Sequence, residues 1–215
     1  RVLFRSSATC DAVVNFDIPT VSDNCSGARI AQSSTLGSGS TFPLGTTMVE
    51  YIATDASGNM DTCSFTVTVA DQSAPSISCP ADITMSAATG MCTANVSFAA
   101  TATDNCSPAG DITITYSPDT GTSFAVGTTQ VTVTAVDTSG NSSTCTFNVT
   151  VTDNEAPIFD NCPTMDITMD ASPNSCDAVV MFDDPTAMDN CSGVVVTQTG
   201  GLLSGSTFPV GTTII

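Results

Sequence analysis

The chain has 215 residues, 41% of them hydrophobic and 11% charged, with a formal net charge of −18 at pH 7. Arg1, Arg5 and Arg29 are its only basic side chains, which argues against nucleic acid as a partner, because binding to phosphates depends on clustered Lys and Arg. The absence of His and Lys removes His-based catalytic units, His-ligated zinc and Schiff-base chemistry, and no apolar run is long enough to span a bilayer.

An internal repeat organises the chain. One nine-residue motif, which we call the plug motif, occurs three times, as GSTFPLGTT at 39–47, GTSFAVGTT at 121–129 and GSTFPVGTT at 205–213. In this motif we expect Phe to enter the core. We expect Pro to fix φ and to remove a backbone N–H donor at a strand edge, and the second Gly to form a turn. The spacing of about 80 to 85 residues suits one small β-sandwich. The chain therefore divides into repeat 1 (1–70), repeat 2 (71–152) and repeat 3 (153–215).

Repeat 2 is the one repeat that this division leaves complete. Short runs rich in Val, Thr, Ile and Phe alternate there with clusters of Gly, Pro, Asn, Asp and Ser, and no helical period is present. The runs predict strands at 82–86, 92–99, 111–117, 129–136 and 144–151. The last two alternate apolar and polar residues, so each should turn one face to the core. By comparison, repeat 1 lacks its beginning and repeat 3 lacks its last two strands.

Several motifs in fixed order resemble those of the hyalin repeat (HYR) family: ISCPADITM, CTANVSF, TATDNC, the Phe-Pro plug, YIATDASGN and TCSFTVTV. The resemblance covers nearly the whole chain, and Ala125 departs from it where the plug usually has Pro. It implies an all-β fold of tandem immunoglobulin-like β-sandwich repeats with incomplete terminal repeats. It also implies an extracellular adhesive or structural role without catalytic residues.

The ten cysteines follow the repeat and form no CxxC cluster, which predicts disulfides and a secreted or cell-surface protein. The four in repeat 2 are Cys79, Cys92, Cys106 and Cys145, and four cysteines permit three pairings. The Ig topology that the resemblance implies favours Cys106 with Cys145, which leaves Cys79 with Cys92.

The same rule extends to the terminal repeats. It would pair Cys25 with Cys63 in repeat 1 and Cys162 with Cys176 in repeat 3. Cys10 and Cys191 would then lack a partner within their own repeats, and would be available to another subunit or to a further segment.

Acidic side chains at the repeat junctions are candidate ligands for Ca²⁺, the candidate cofactor. VTDNEAPIF, at 151–159, looks like the linker of cadherins, where acidic side chains bind Ca²⁺ between sandwiches, and hard oxygen ligands suit this ion. The candidates at repeat 2 are Asp71, Asp104, Asp137 and Asn141, and their counterparts at repeat 3 are Asp153, Asn154, Glu155 and Asp189. The alternative interpretation is that these side chains only cap backbone groups in turns.

Two further motifs bear on modification and catalysis. Asn95, Asn141 and Asn148 lie in N-x-S/T sequons and are candidate glycosylation sites, Asn141 foremost because we expect its turn to be exposed. SPDTGTS, at 117–123, contains the DTG of aspartic proteases, but that chemistry needs two such aspartates and the other repeats have none here. We therefore expect no enzymatic activity.

Two functions fit these features. The first is an extracellular structural or adhesive protein that forms an elongated rod or fibril, with further repeats of the same chain or other copies end to end as partners, and glycans as candidate ligands. The strands missing from repeat 3 would come from a continuing chain, the simpler interpretation, or from another subunit, for which RVLFR at 1–5 is a candidate donor. The second is a spacer or binding appendage of a larger secreted enzyme.

Overall fold

The structure, a computed structural model, describes residues 2–6, 9–163 and 165–215. Nearly every regular element in this part of the chain is a β-strand. Repeat 1 contains β1 (Val2–Ser6), β2 (Asp11–Val14), β3 (Arg29–Gln32), β4 (Ser40–Pro43), β5 (Gly45–Thr54) and β6 (Met60–Asp71). Repeat 2 contains β7 (Ser76–Ser78), β8 (Ile83–Ser86), β9 (Thr93–Asn95), β10 (Thr101–Thr103), a 3₁₀ turn (Ala109–Asp111), β11 (Thr113–Ser117), β12 (Ser123–Ala125), β13 (Gly127–Val136) and β14 (Ser142–Thr152). Repeat 3 contains β15 (Ile158–Phe159), β16 (Asp177–Val179), β17 (Ala187–Met188) and β18 (Thr207–Pro209).

Repeats 1 and 2 share one sheet topology. The strand order is β1-β6-β5-β3 in repeat 1 and β8-β14-β13-β11 in repeat 2. In both, the strand at one edge, β1 or β8, pairs in parallel with the last strand of the repeat, whereas the strand at the other edge runs antiparallel to its neighbour. Short pairs complete the second layer: β2 with β4 in repeat 1, and β9 with β12 and β7 with β10 in repeat 2. The predicted all-β, immunoglobulin-like sandwich is confirmed.

The alternating residues of the long strands build the core. In β13, Val131, Val133 and Ala135 are fully buried while the threonines between them are not. In repeat 1 the Phe of the plug motif, Phe42, is fully buried in a cluster with Val14, Val49, Tyr51, Val67 and Val69. Phe124 and Phe208 are also buried. The recurring motif therefore places one aromatic ring in the core of each repeat.

One predicted strand is shorter than expected. The run 92–99 predicts a single strand, but β9 ends at Asn95. Beyond it, the Phe98 N–H donates to Thr120 Oγ1 at 2.9 Å and the Ala100 N–H donates to the Tyr116 hydroxyl at 3.0 Å. These backbone groups bind side chains in place of a neighbouring strand, so the ladder stops although the residues have the composition of a strand.

The turn between β5 and β6 is built by one aspartate. Asp55 Oδ1 accepts hydrogen bonds from the backbone N–H groups of Ser57 and Asn59, and Oδ2 accepts one from the Asn59 side chain at 2.6 Å. Gly58 has φ +88°, a left-handed conformation that favours glycine. The bonds from Asn59, its side chain first, hold the pKa of Asp55 below its ordinary value. An Asp-to-Asn closure of this kind returns in repeat 2.

RVLFR has a partner within its own repeat. Arg1 lies outside the described residues, but β1 pairs with β6 from Val2 opposite Val67 to Ser6 opposite Asp71. This is the place that β8 takes beside β14 in repeat 2. Within this chain, RVLFR therefore contributes the edge strand of repeat 1, and its exchange with another subunit stays a prediction.

Repeat 3 leaves much of its apolar surface uncovered. Its described residues contain no counterpart of β5 or β6, and MDITM and VVVTQ, which correspond to edge strands of repeat 2, form no strand there. An open cleft of about 1060 Å³ is lined in part by Phe159, Ile167, Val196 and Val210, all of them exposed. The face that β13 and β14 cover in repeat 2 is therefore open.

The described chain forms two compact units. Unit 1 comprises 1–81, 97–120 and 130–147, and unit 2 comprises 82–96, 121–129 and 148–215. Unit 1 contains the junction between repeats 1 and 2, and unit 2 contains the junction between repeats 2 and 3.

Candidate functional site

The junction in unit 1 brings two aspartates together. Asp71 is the last residue of β6, and Asp104 lies in the loop that follows β10. One carboxylate oxygen of each and the Sγ atom of Cys106 all lie within 4.8 Å of one another. Asp71 is only 5% exposed, so water screens this pair weakly.

Each of these carboxylates has one satisfied and one unsatisfied oxygen. Asp71 Oδ1 accepts a hydrogen bond from the Ser73 N–H at 2.9 Å. Asp104 Oδ1 accepts two, from the N–H groups of Cys106 at 2.8 Å and Ser107 at 2.9 Å. Asp71 Oδ2 and Asp104 Oδ2 are buried and have no hydrogen-bond partner among the described residues. Two buried carboxylates this close repel each other unless a cation or a proton lies between them.

The other two candidates at this junction close a turn. Asp137 Oδ1 accepts hydrogen bonds from the N–H groups of Ser139 and Asn141, and Oδ2 accepts one from Asn141 Nδ2 at 2.8 Å. Burial raises the pKa of Asp137, but the hydrogen bonds from Asn141, Ser139 and Gly140 outweigh it and leave that pKa below its ordinary value. Asn141 Nδ2 also reaches the carbonyl oxygen of Asp71 at 3.4 Å. This turn therefore supports the junction, while the unsatisfied oxygens belong to Asp71 and Asp104.

The Cys106 thiol is a poor ligand for a cation. Burial, the hydrogen bond with Cys10 and the negative charges of Asp71 and Asp104 raise the pKa of Cys106 to about 12. A reduced Cys106 is therefore a neutral thiol at physiological pH, and the cysteine sulfur that binds metals is the thiolate. The carboxylate oxygens remain as the donor set.

The junction in unit 2 repeats part of this arrangement. Asp153, Asp189 and Cys191 place their ligand atoms within 4.8 Å of one another. As at the first junction, one oxygen of each aspartate accepts an N–H from two residues ahead: Asp153 from Glu155 and Asp189 from Cys191. Asn154 and Glu155 instead bind the Ser86 hydroxyl and the Gly90 N–H. Of the four candidates at repeat 3, the structure brings together Asp153 and Asp189.

The disulfides differ from the predicted pairs. Cys79 bonds to Cys145, with a Cα–Cα distance of 6.0 Å, so the pairs Cys79–Cys92 and Cys106–Cys145 are wrong. The reason lies in how β14 begins. The Ser143 hydroxyl donates to the carbonyl oxygen of Pro75 at 2.5 Å, which holds the start of β14 beside β7, and Cys79 directly follows β7.

A second disulfide, which sequence reasoning missed, crosses a repeat boundary. Cys92 of repeat 2 bonds to Cys191 of repeat 3, with a Cα–Cα distance of 5.1 Å. Cys191 therefore has a partner in the same chain. Cys25, Cys63, Cys162 and Cys176 are unbonded and exposed, so the intra-repeat pairs expected in the terminal repeats do not form. Cys10 and Cys191, which the predicted pairing left without partners in their own repeats, were the feature of the sequence that could have indicated bonds between repeats.

The sequon asparagines differ in environment. Asn141 is partly buried, and its Nδ2, the atom that would carry a glycan, donates the hydrogen bonds described above, so the expectation of an exposed turn is corrected. Asn148 Nδ2 donates to Asp82 Oδ2 at 3.3 Å. Asn95 is exposed. Of the three, Asn95 has the most open surroundings.

Within the described part of the chain, no helix has the length and apolar character that a membrane crossing requires.

Comparisons with known proteins agree with the repeat architecture. The HYR domain family matches residues 7–69, 70–151 and 152–215. Hyalin of Strongylocentrotus purpuratus is 38% identical over 203 residues, and hyalin of Lytechinus variegatus is 36% identical over 203 residues. Both matches cover 92% of this chain, but only 16% and 38% of the respective relatives. Thus the chain spans well under half the length of either.

Among solved structures, protocadherin gamma B2 extracellular cadherin domains 1–5 align with 90% of this chain and 45% of their own, at 14% identity and a TM-score of 0.38. These values are too low to support any inference about function. Family membership follows from the threefold match along the sequence. The chain belongs to the HYR domain family.

Proposed function

We propose that this chain is part of an extracellular structural or adhesive protein in which HYR repeats follow one another and Ca²⁺ binds at their junctions. Membership of the HYR family supports the class of protein. Disulfides support a secreted or cell-surface location, because they persist in oxidising compartments. The observation that carries the Ca²⁺ proposal is the pair of buried, unpartnered oxygens on Asp71 and Asp104.

The donor set fits Ca²⁺. This ion takes about six to eight oxygen ligands, commonly from carboxylates, backbone carbonyls and water. Asp71 and Asp104 would hold it at the first junction, and Asp153 and Asp189 at the second. A bound Ca²⁺ supplies positive charge, which removes the repulsion between the two carboxylates. With a formal net charge of −18 on the chain, this neutralisation favours the folded state as a whole.

The position of the first site gives the ion a structural effect. Asp71 ends the last strand of repeat 1, while Asp104 belongs to a loop of repeat 2, and both lie in unit 1. A cation held by both would connect the two repeats at their linker. The proposed role of Ca²⁺ is therefore to hold successive repeats in a fixed arrangement, as a structural or adhesive array requires.

Calcium titration of the chain and of Asp71→Asn tests this proposal. For the unsubstituted chain we expect saturable Ca²⁺ binding and a rise in the unfolding temperature that EDTA reverses. Asp71→Asn should lose the binding at this junction. In EDTA it should be at least as stable as the parent chain, because the substitution removes one of two repelling buried charges. Isothermal titration and thermal unfolding measure both effects.

The matched control is Asp61→Asn, which neutralises an exposed aspartate on the same strand. It should bind Ca²⁺ and respond to EDTA as the parent chain does. If Ca²⁺ leaves the unfolding temperature of the parent chain unchanged, or if both substitutions reduce binding equally, the carboxylates only cap their loops.

We also propose that a hairpin of the β5–β6 type covers the open face of repeat 3. The exposed side chains of Phe159 and Ile167 in the cleft support this, because their counterparts in repeat 2, Ile77 and Ile83, are partly buried. Partners of this chain are then further repeats or other copies, and glycans are candidate ligands of the assembled array.

Mass measurements on native material, denatured and deglycosylated, identify the source of this hairpin. A reduced mass far above 21.8 kDa assigns the hairpin to the same chain. A reduced mass of 21.8 kDa with a larger native assembly assigns it to another copy. A stable native monomer of 21.8 kDa with the cleft still exposed contradicts the proposal.

A further inference from the structure

Two thiols that the structure leaves unbonded lie side by side at the junction between repeats 1 and 2. Cys10, just before β2, donates from Sγ to the carbonyl oxygen of Asn105 at 2.9 Å. The side chain of Asn105 donates to the Sγ atom of Cys106 at 2.9 Å. Asn105 thus contacts the sulfur atoms of both cysteines. Both residues belong to unit 1.

Cys10 and Cys92 occupy the same place in successive repeats. The carbonyl oxygen of Cys10 accepts the Leu44 N–H at 2.9 Å, and that of Cys92 accepts the Val126 N–H at 2.9 Å. Leu44 and Val126 are the same position of the plug motif. The backbone of each cysteine is thus held in the same way against its own plug.

Cys106 and Cys191 correspond in the same manner. The N–H of Cys106 donates to Asp104 Oδ1 at 2.8 Å, and the N–H of Cys191 donates to Asp189 Oδ1 at 2.7 Å. Both cysteines belong to a DNC tripeptide. The pair Cys10 and Cys106 is therefore the counterpart, one repeat earlier, of the pair Cys92 and Cys191, which is a disulfide.

The surroundings of the two pairs match as well. The Sγ atom of Cys92 lies 2.5 Å from the carbonyl oxygen of Asn190, as that of Cys10 lies near the carbonyl of Asn105. Asn190 Nδ2 lies 3.4 Å from the Sγ atom of Cys191, as Asn105 Nδ2 lies near that of Cys106. In both junctions the asparagine of the DNC loop contacts both sulfur atoms.

We propose that Cys10 and Cys106 form a disulfide, so that both junctions of this chain are covalently bridged by the same pair of positions. Bond formation removes two protons and two electrons from the thiols. The oxidant is an external disulfide. One cysteine thiolate attacks a sulfur of the oxidant, which forms a mixed disulfide and releases the first oxidant thiol. The second cysteine then attacks the mixed disulfide and releases the second oxidant thiol, so the oxidant is reduced to two thiols.

With this bridge, the four cysteines of repeat 2 take part in three disulfides. Cys79 and Cys145 bond within repeat 2, Cys92 bonds forward to repeat 3, and Cys106 bonds backward to repeat 1. Cys25 occupies the backward position of repeat 1 and Cys176 the forward position of repeat 3. Wherever another HYR repeat adjoins, these two are the residues that would bridge to it.

Peptide mapping without reductant tests the proposal on the whole chain, produced in an oxidising compartment and alkylated before digestion. A protease that cleaves before aspartate places every cysteine on its own peptide, with Cys10 on 1–10, Cys106 on 104–110, Cys92 on 82–103 and Cys191 on 189–215. We expect 1–10 linked to 104–110, and 82–103 linked to 189–215, with loss of the alkylated form of each. Reduction should release all four peptides.

Two variants sharpen the result. Cys10→Ser should leave Cys106 alkylated, while Cys25→Ser, which removes the DNC cysteine of repeat 1, should leave the link between 1–10 and 104–110 intact. Mapping in EDTA keeps this test independent of Ca²⁺ binding. Recovery of alkylated Cys10 and Cys106 on separate peptides, or of either linked to another cysteine, overturns the proposal. Absence of the linked peptides 82–103 and 189–215 overturns it too, because the proposal is inferred from the bond between Cys92 and Cys191.

Discussion

Replacing Cys79 and Cys145 together by Ser is expected to lower the free energy of unfolding of repeat 2 by about 4 kcal/mol. The bond joins residues 66 apart in sequence, so its loss returns a large loop entropy to the unfolded chain. Small domains have a net stability of roughly 5 to 15 kcal/mol, so this loss leaves repeat 2 marginally folded. Denaturant unfolding followed by circular dichroism measures the change.

The matched control replaces Cys25 and Cys63, which are exposed and unbonded, by Ser. This pair should change the free energy of unfolding by less than about 0.5 kcal/mol, as exposed substitutions usually do. Under full reduction, the parent chain and the Cys79/Cys145 variant should unfold at similar denaturant concentrations. Equal effects of the two double substitutions under oxidising conditions would show that the bond between Cys79 and Cys145 contributes no stability.

Phe42→Ala is expected to destabilise repeat 1 by about 3 to 5 kcal/mol. Phe42 is fully buried, packs in an edge-on arrangement against Phe16 at 6.3 Å between ring centroids, and contacts strands of both layers. Its removal leaves a cavity that strands fixed in a ladder cannot fill by collapsing. The change is measured as a shift of the denaturant midpoint at constant slope.

Met48→Ala is the control for this substitution. Met48 lies on β5 and is 60% exposed, so its truncation should cost less than about 1 kcal/mol. If Phe42→Ala costs no more than Met48→Ala, the plug motif does not anchor the core and its recurrence has another cause.

The long strands were predictable from sequence because their residues alternate. β13 and β14 extend a little beyond the predicted 129–136 and 144–151, and their buried residues are those of the apolar phase. The short strands β7, β10 and β12 were not predicted. Three residues carry too little periodicity, and whether such a segment joins a ladder depends on a neighbour that the local sequence does not specify.

The aspartates at the junctions were predictable only as a group. The resemblance to cadherin linkers indicated Asp71, Asp104, Asp137 and Asn141 together. Residue type does not distinguish an aspartate such as Asp137, whose two oxygens both accept hydrogen bonds within its own turn, from Asp71 or Asp104, each of which has one oxygen without a hydrogen bond. Asp55 in repeat 1 closes its turn in the same way as Asp137.

The cysteine pairing was wrong because each repeat was assumed to satisfy its own thiols. The topological premise was sound: the DNC loop and the last turn do meet, since the Ser107 and Thr138 hydroxyls hydrogen-bond at 2.7 Å. Cys145, however, lies beyond that turn on β14, beside the segment that follows β7. Pairing depends on where individual residues fall along a strand, which cysteine count and loop proximity do not determine.

The parallel pairing of β8 with β14 has a mechanical consequence. When the bond between Cys79 and Cys145 is reduced, a force that pulls the two ends of repeat 2 apart slides β8 along β14, so the ladder from Ile83–Val149 to Ser86–Thr152 is loaded in shear and its bonds resist together. An antiparallel edge would open one bond at a time. When the bond from Cys79 to Cys145 is intact, it carries the force directly to β14, and the residues that it encloses, β8 among them, neither bear tension nor lengthen. Repeat 2 therefore combines high resistance to tension with a short limit on its extension.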